Sequence, residues 1–540
     1  MDLAVGRRVE RERLLEPRRG GRDGGRGGVR QRQHASVRLE GIGATLDEVV
    51  DLTQSCEREA GQEVRLDEVE AQQALQAGQR LLLTLGREVQ VRLVIARLRL
   101  RKIGEAREQR VDVGCVATHR DVEQGALPAL LACVDVGHLD EPRSAVEQLL
   151  EDRDLVDGRG DAYCGMLSAS YGIGLRRLEP HIPEYPVGDP ADVARMLGEF
   201  VPVARVVEGV RHLKIFSFGP RPFDFLTCHA PIQPLFDLGV EIMENSELDL
   251  YDIVQTERGS AEARRIAGQM TEELGAGNTY PELPEKLAAL EAALEKFMEA
   301  HLGASCYAAF ANKCWPAFEK YFGHVPCYVN GRLAAKGIPV ACEADIYGAL
   351  SEYMVLAATG APPAILDINN SVPKDMYGAP DPAFGDYDLT DLWMGFHCGN
   401  ASPQCMVQPE LKYQLIMHRT LEPGKDPDIT RGTLEGRIHP GPISVFRIQS
   451  SSDACLQAYV ANGEVLDVNP RSFGSIGVFA VREMGRFYRH VLIEKRFPHH
   501  TAIAFGHAGK TLFAACRMLG LEDVFYNRPR GVPYPTENPF

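Results

Sequence analysis

Several acids and histidines in the later part of the sequence have the types needed to hold a metal ion and move a proton. Glu343 follows the apolar run GIPVAC, Asp367 ends the apolar run PPAIL, and His500 is the second histidine of FPHHTAIAF. Carboxylates serve as general acids and bases. Carboxylates and imidazoles together suit a hard to borderline divalent ion rather than a thiolate-seeking one. Such an ion stabilises negative charge developing on nearby oxygens. Each residue also has an ordinary structural reading. A glutamate at a helix start is favoured by the macrodipole, and a lone aspartate at a strand end is a common turn former. Adjacent strand residues point to opposite faces, so at most one of His499 and His500 should face a given site. His507, the natural rival to His500, lies seven residues further on. That is about 23 Å of extended strand, too far for both to share one ion.

Alternating strands and helices must position these groups. Leu213 to Phe218 in VRHLKIFSFGPRPFDF reads as a buried strand running into a Gly-Pro loop. In 281–302, Leu283, Leu287, Leu290, Leu294 and Phe297 recur at three- and four-residue steps with charges opposite, and Gly303 follows. That pattern predicts an amphipathic helix with a glycine stop. CEADIYGALSEYMVLAATG reads as a helix opened by Glu343, and PPAILDINN as a strand. Beyond 430 the pattern turns to β: PISVFRIQ, then LQAYVANGEVLD with a turn at Asn462-Gly463, then GSIGVFAV. TLFAACRMLGL returns to helix. Strands followed by helices predict a parallel α/β layer, and the later stretch an antiparallel one.

At 540 residues the chain is too long for one core. A net charge of −16 disfavours nucleic-acid binding, which needs a clustered basic surface. No apolar run reaches the roughly 18 residues of a bilayer span, and MDLAVGRRVERER does not read as a signal peptide. Thirteen scattered cysteines with no C-x-x-C pair predict free thiols in a reducing, cytoplasmic setting.

Composition changes sharply near residue 160. Before Tyr163 there is no Phe, Tyr, Trp or Asn, and Lys102 is the only lysine. Aromatic side chains supply much of a core's buried area. Three readings of 1–160 stand open: a genuine domain of unusual composition, a disordered or accessory extension, or codons translated in the wrong frame or strand of a GC-rich gene. No functional residue is placed there.

From about residue 160 onward, CEADIYGALSEYM, AILDINN, FHCGNASP and FPHHTAIAFGHAGKTL resemble the catalytic region of the L-fucose and L-arabinose isomerase family, in the family's order. DAYCGMLSASYG, FSFGPRPFDFLT and NKCWPAFEKYFGHVPCYVNGRL are similar to it as well. The resemblance implies an α/β fold: a Rossmann-like parallel-sheet domain over 161–357, then a C-terminal α+β domain over 358–540 with a β-barrel-like antiparallel part. It implies a cytoplasmic homo-oligomer that interconverts an aldose and a ketose through an ene-diolate, using a divalent metal, manganese above others. By that likeness Glu343 and Asp367 are catalytic carboxylates and metal ligands, and His500 is the imidazole ligand. His397 is a further metal or substrate residue, and Arg221, Trp315 and Asn400 lie on the substrate side. Cys342 and Cys398, beside these residues, are read as packing residues. Nothing in 1–160 resembles the family's first domain, which leaves a catalytically silent sugar-binding homologue as the alternative. A nucleotide-dependent dehydrogenase fits poorly, since the loop at Phe218-Gly219-Pro220 lacks G-x-G-x-x-G and its prolines remove amide donors.

Overall fold

The computed structural model describes the strands β1 (Val91–Arg101) and β2 (Glu108–Thr118), and residues 162–538 apart from 179, 189, 224, 378–381 and 417–429. β1 and β2 pair antiparallel, with Val91 opposite Thr118. The three readings of 1–160 otherwise lie outside the described residues.

Helices α1 (Ala162–Gly174) and α2 (Pro190–Arg211) lead into a four-stranded parallel sheet. Its strands are β3 (Leu213–Phe218), β4 (Glu241–Asn245), β5 (Tyr307–Ala311) and β6 (Val340–Ala341), in the order β4-β3-β5-β6. β3 occupies the span read from its apolar run and is buried along nearly its whole length, as an inner strand of a parallel sheet must be. Helix α3 (Glu247–Glu257) starts at a Ser246–Asp249 capping box, and α4 (Ala261–Leu274) at the Ser260 hydroxyl. Helix α5 (Leu283–His301) buries Leu283, Leu287, Leu290, Leu294 and Phe297, and Gly303 follows it at φ +68°. Its one fully buried acid, Glu291, meets Arg332 of α6 (Cys327–Ala335) at 2.7 Å and Lys336 at 2.7 Å.

Helix α7 (Ile346–Thr359) starts three residues later than its sequence suggests. Asp345, not Glu343, is its N-cap and accepts from Gly348 N at 2.8 Å. Its apolar residues Ile346, Leu350 and Met354 join a core with Val206 and Val210 of α2, Ile215 of β3, Phe446 and Ala502. Each such side chain contributes about 1.5–3 kcal/mol by leaving water. α7 is therefore the shared wall between the parallel sheet and the strands C-terminal to it.

A nine-stranded mixed sheet makes up the remainder. Its strands are β7 (Ala364–Asn370), β8 (Leu392–His397), β9 (Met406–Tyr413), β10 (Arg431–Ile438), β11 (Gly441–Ser450), β12 (Leu456–Leu466), β13 (Ser475–Ala480), β14 (His500–Phe505) and β15 (Asp523–Tyr526). The order is β15-β12-β11-β14-β7-β8-β13-β10-β9, and β12 also pairs with β13. The pairings β12-β11-β14-β7-β8-β13-β12 thus close a ring of antiparallel neighbours. Helix α8 (Gly509–Met518) lies between β14 and β15 in sequence.

The turn expected at Asn462-Gly463 is not there: β12 runs straight through both residues. β11 pairs along one side of it, with Gly463 opposite Ile443, and β13 joins the other from Glu464 onward. A Cβ on Gly463 would stand 2.2 Å from Ala480 O, so the glycine serves close strand approach rather than reversal.

Candidate active site

The first carboxylate is placed by an unusual corner. β6 ends at Ala341 at the carboxyl edge of the parallel sheet, and two residues on Glu343 and Ala344 take φ +64° and +53°. A left-handed conformation costs a residue with a Cβ roughly 1–2 kcal/mol. The corner is held from three sides. Ala344 N donates to Asn312 O at 2.9 Å, Asp345 N donates to Cys342 O at 3.2 Å, and Arg447 and His500 lock the Asp345 side chain. The result aims Glu343 Oε2 at His500 Nε2, 3.3 Å away.

The remaining groups come from the ring. His500 opens β14 and stands directly opposite Asp367 on β7, and facing cross-strand side chains share one face. His500 Nε2 lies 3.4 Å from Asp367 Oδ1. His397 ends β8, the next strand round, and its ring centroid is 5.8 Å from that of His500. Ligand atoms of Asp367, His397 and His500 all fall within 4.8 Å of one another.

Three buried atoms here have no hydrogen-bond partner: Glu343 Oε2, Asp367 Oδ1 and His500 Nε2. Orphaned buried polar atoms are rare and costly. Glu343 Oε2 and Asp367 Oδ1 stand 3.3 and 3.4 Å from His500 Nε2, and unpaired buried donors so placed are what a bound cation would satisfy.

The other side of His500 is fully engaged. Its Nδ1 donates to Asp345 Oδ2 at 2.8 Å. Asp345 also accepts a two-pronged contact from Arg447 of β11, at 2.6 and 2.9 Å, and Gln449 Oε1 accepts from Arg447 Nε at 3.1 Å. All of this is buried, with Arg447 at 0%, Asp345 at 1% and His500 at 1% exposure. A carboxylate behind the imidazole fixes the tautomer and leaves Nε2 free as a ligand. Burial opposes ionisation of Asp345, yet Arg447 and His500 hold its carboxyl well below the usual range. Burial would also lower His500, but Asp345 and Glu343 on either side keep it well above an ordinary histidine. Burial raises Asp367 to about 6. Burial pushes Glu343 up as well, but His500 outweighs it and leaves the glutamate lowered. His500 therefore holds a proton in the metal-free chain, and a divalent ion that displaced it would balance the negative charge that three carboxylates leave over one guanidinium.

Comparisons with known proteins bear on this geometry. The model of the L-fucose isomerase C-terminal domain matches residues 395–526, and that of the fucose/sulfoquinovose isomerase N-terminal domain matches 144–211. A sulfoquinovose isomerase of Clostridium sp. (strain MSTE9) is 26% identical over 383 residues, which is 69% of this chain and 78% of that protein. One of Alkalicoccus urumqiensis is 24% identical over 343 residues, 62% of this chain and 70% of that protein. One of Priestia megaterium is 23% identical over 367 residues, 65% and 73% respectively.

The chain matches two models of the fucose isomerase family and resembles sulfoquinovose isomerases over much of its length. It is an enzyme of the aldose–ketose isomerase class. The N-terminal-domain match starts at 144, so the family likeness reaches back across the composition boundary near 160, where none was expected.

Within this isomerase, the residues expected on the substrate side separate into two groups. Trp315 and His397 line a narrow cleft with Phe225, Glu343, Gln414 and Ile416. Cys342 and Cys398 line it too, beside Cys314 and Cys327. Asn400 is buried elsewhere, accepting from Asn330 at 2.8 Å and donating to Val340 O at 3.1 Å. Arg221 donates to Ala230 O at 3.1 Å and does not line the cleft. His507 is exposed beside Gly463 O at 3.1 Å, apart from the cluster.

His499 departs from the alternation argument. It sits in a bend before β14 rather than in the strand, so it is not turned to the opposite face. Its Nε2 lies 3.8 Å from Asp367 Oδ1, and its ring meets Phe225 at 5.9 Å. Asp345, Arg447 and His499 are the site residues that sequence reasoning missed. The one local signal was the acid spacing in CEAD.

Proposed function

We propose that this isomerase is metal-dependent and acts on a ring-opened sugar, with Glu343, Asp367 and His500 holding the ion and the two carboxylates handling the protons. Two orphaned carboxylate oxygens, each within 3.4 Å of the orphaned His500 Nε2, carry this reading. When bound, a divalent ion, manganese by the oxygen and nitrogen donors present, supplies electrophilic stabilisation of the two reacting sugar oxygens.

An aldose becomes a ketose when the C2 proton moves to C1 while O2 loses a proton and O1 gains one, by way of an ene-diolate. Two groups of unequal basicity suit that exchange. Glu343, held low by His500, is ionised and can take a proton at the carboxylate oxygen it does not give to the ion; Asp367, raised to about 6 by burial, is the readier of the two to carry one. His397 serves as a donor rather than a ligand. Cys398 N donates to its Nδ1 at 3.0 Å, which places the proton of the neutral ring on Nε2. Burial keeps that ring neutral by lowering it to about 4. Trp315 and Phe225 wall the cleft and exclude water.

The test is ketose formation from a panel of aldoses with manganese and with chelator. A 6-sulfonated hexose comes first, because the relatives are sulfoquinovose isomerases. Uncharged aldoses belong beside it, since no lysine or arginine is among the described residues lining the cleft. Turnover should need the metal; equal turnover after chelation would overturn the proposal. We place the enzyme in the cytoplasm as a symmetric homo-oligomer, a reading that light scattering tests.

A further inference from the structure

Beside the oxygen and nitrogen donors stands a sulfur that the reaction does not use. Cys228 ends a short turn, Leu226–Cys228, in the loop that follows β3. It is 4% exposed and its thiol is free. Its Sγ, a Glu343 carboxylate oxygen and a His500 nitrogen all lie within 4.8 Å of one another. Glu343 and His500 each also carry an orphaned buried atom, Oε2 and Nε2. The site therefore contains two overlapping donor sets. Glu343, Asp367 and His500 offer two carboxylates and an imidazole. Cys228, Glu343 and His500 offer a thiolate, a carboxylate and an imidazole, a composition that tetrahedral zinc accepts with its fourth position open.

We propose that Cys228 makes the isomerase centre a second, thiophilic metal site, at which zinc or a similar soft divalent ion binds through Cys228, Glu343 and His500 and displaces the catalytic ion. The proposal rests on the reading of Glu343 and His500 as the metal centre. The two sets share both residues, so one ion excludes the other. A soft ion drawn toward Cys228 leaves Asp367 without the contact that the reaction needs. Binding forms a metal–sulfur bond and releases the thiol proton to solvent, one per ion; no electron changes hands. Selectivity then depends on which ion reaches the site, since raw affinity favours zinc over manganese at nearly any such donor set.

The experiment titrates cobalt(II) into metal-free full-length protein and follows the near-ultraviolet thiolate-to-metal charge-transfer absorption. Wild type should show the band. Cys228→Ser should lose it and bind cobalt more weakly, by at least the roughly 10- to 100-fold that even outer-shell partners of a metal are worth. Cys398→Ser, which alters a thiol lining the cleft, should keep the band, and thermal melts of both variants establish that they fold. Zinc inhibition of the manganese enzyme should weaken in Cys228→Ser by a similar factor. No band in wild type, a band surviving in Cys228→Ser, or a band lost only in Cys398→Ser each overturns the assignment. If the band behaves as expected but manganese supports no turnover, the sulfur site stands and the isomerase mechanism fails instead.

Discussion

The two carboxylates of the site are held by opposite means. Asp367 sits within a regular strand, and its position follows from one cross-strand pairing with His500. Glu343 sits on two successive left-handed residues, a conformation that persists only because the surroundings over-determine it. The strand side is stiff through its hydrogen-bonded ladder. The corner is stiff through its packing and through one buried ion pair, Asp345–Arg447. The first tolerates small changes nearby, whereas the second depends on a few groups that must all be present.

The largest effect should come from the corner's own carboxylate. Glu343→Gln keeps the shape and removes the base, and turnover should fall by about 10²- to 10⁴-fold with the fold retained. A variant keeping most of its activity would remove Glu343 from the chemistry. Asp345→Asn should follow. Asparagine still caps α7, but it no longer neutralises Arg447 or holds His500, so metal affinity should drop roughly 10- to 100-fold. Leaving Arg447 buried and unpaired should also cost about 3–5 kcal/mol of stability. Calorimetry with and without metal separates these two losses. Equal melting of mutant and wild type would show the corner to be less dependent on that pair than its geometry implies.

A pH series sharpens the strand side. Asp367 is raised in the folded, metal-free chain to about 6. An acid raised on folding favours the native state at low pH and loses that contribution as pH climbs from its unfolded value through about 6. Metal binding needs the ionised form, so apparent affinity should weaken as pH falls below about 6. Metal affinity unchanged between pH 7 and about 5 would contradict Asp367 as a ligand. The smallest effect belongs to His507→Ala, which should keep its metal, whereas His500→Ala loses metal and activity together; metal analysis of both proteins decides.

The contrast between strand and corner also sets what the sequence could disclose. Asp367 and His500 were legible as strand-end residues from the apolar runs beside them, and as members of one site only through the family resemblance. Helix α5 was legible through its leucine spacing, and β3 through its unbroken apolar run. Glu343 was legible as a residue but not as a conformation, because nothing in CEAD encodes two left-handed residues in a row. Asp345 and Arg447 are 102 positions apart, and Arg447 reads as an ordinary charge within PISVFRIQ. Only the fold reveals it as fully buried. Asn462-Gly463 misled for a related reason: local turn chemistry gave way to neighbouring strands on both sides. His499 misled because it precedes the strand whose alternation was applied to it.

Ring closure has a consequence for Asp367 and His500 beyond stiffness. Side chains alternate faces along a strand, so sliding β14 past β7 by one residue would turn His500 and Asp367 away from each other. In an open sheet, such slippage involves only the strand that moves and its neighbours. Here β14, β7 and β8 belong to a cycle of six mutually paired strands. A slip at one seam must be absorbed at another seam of the cycle or break a ladder outright. Asp367 and His500 are therefore kept in step even by β12 and β13, which pair with neither of their strands, and damage at the β12–β13 seam would pass round the cycle to their register.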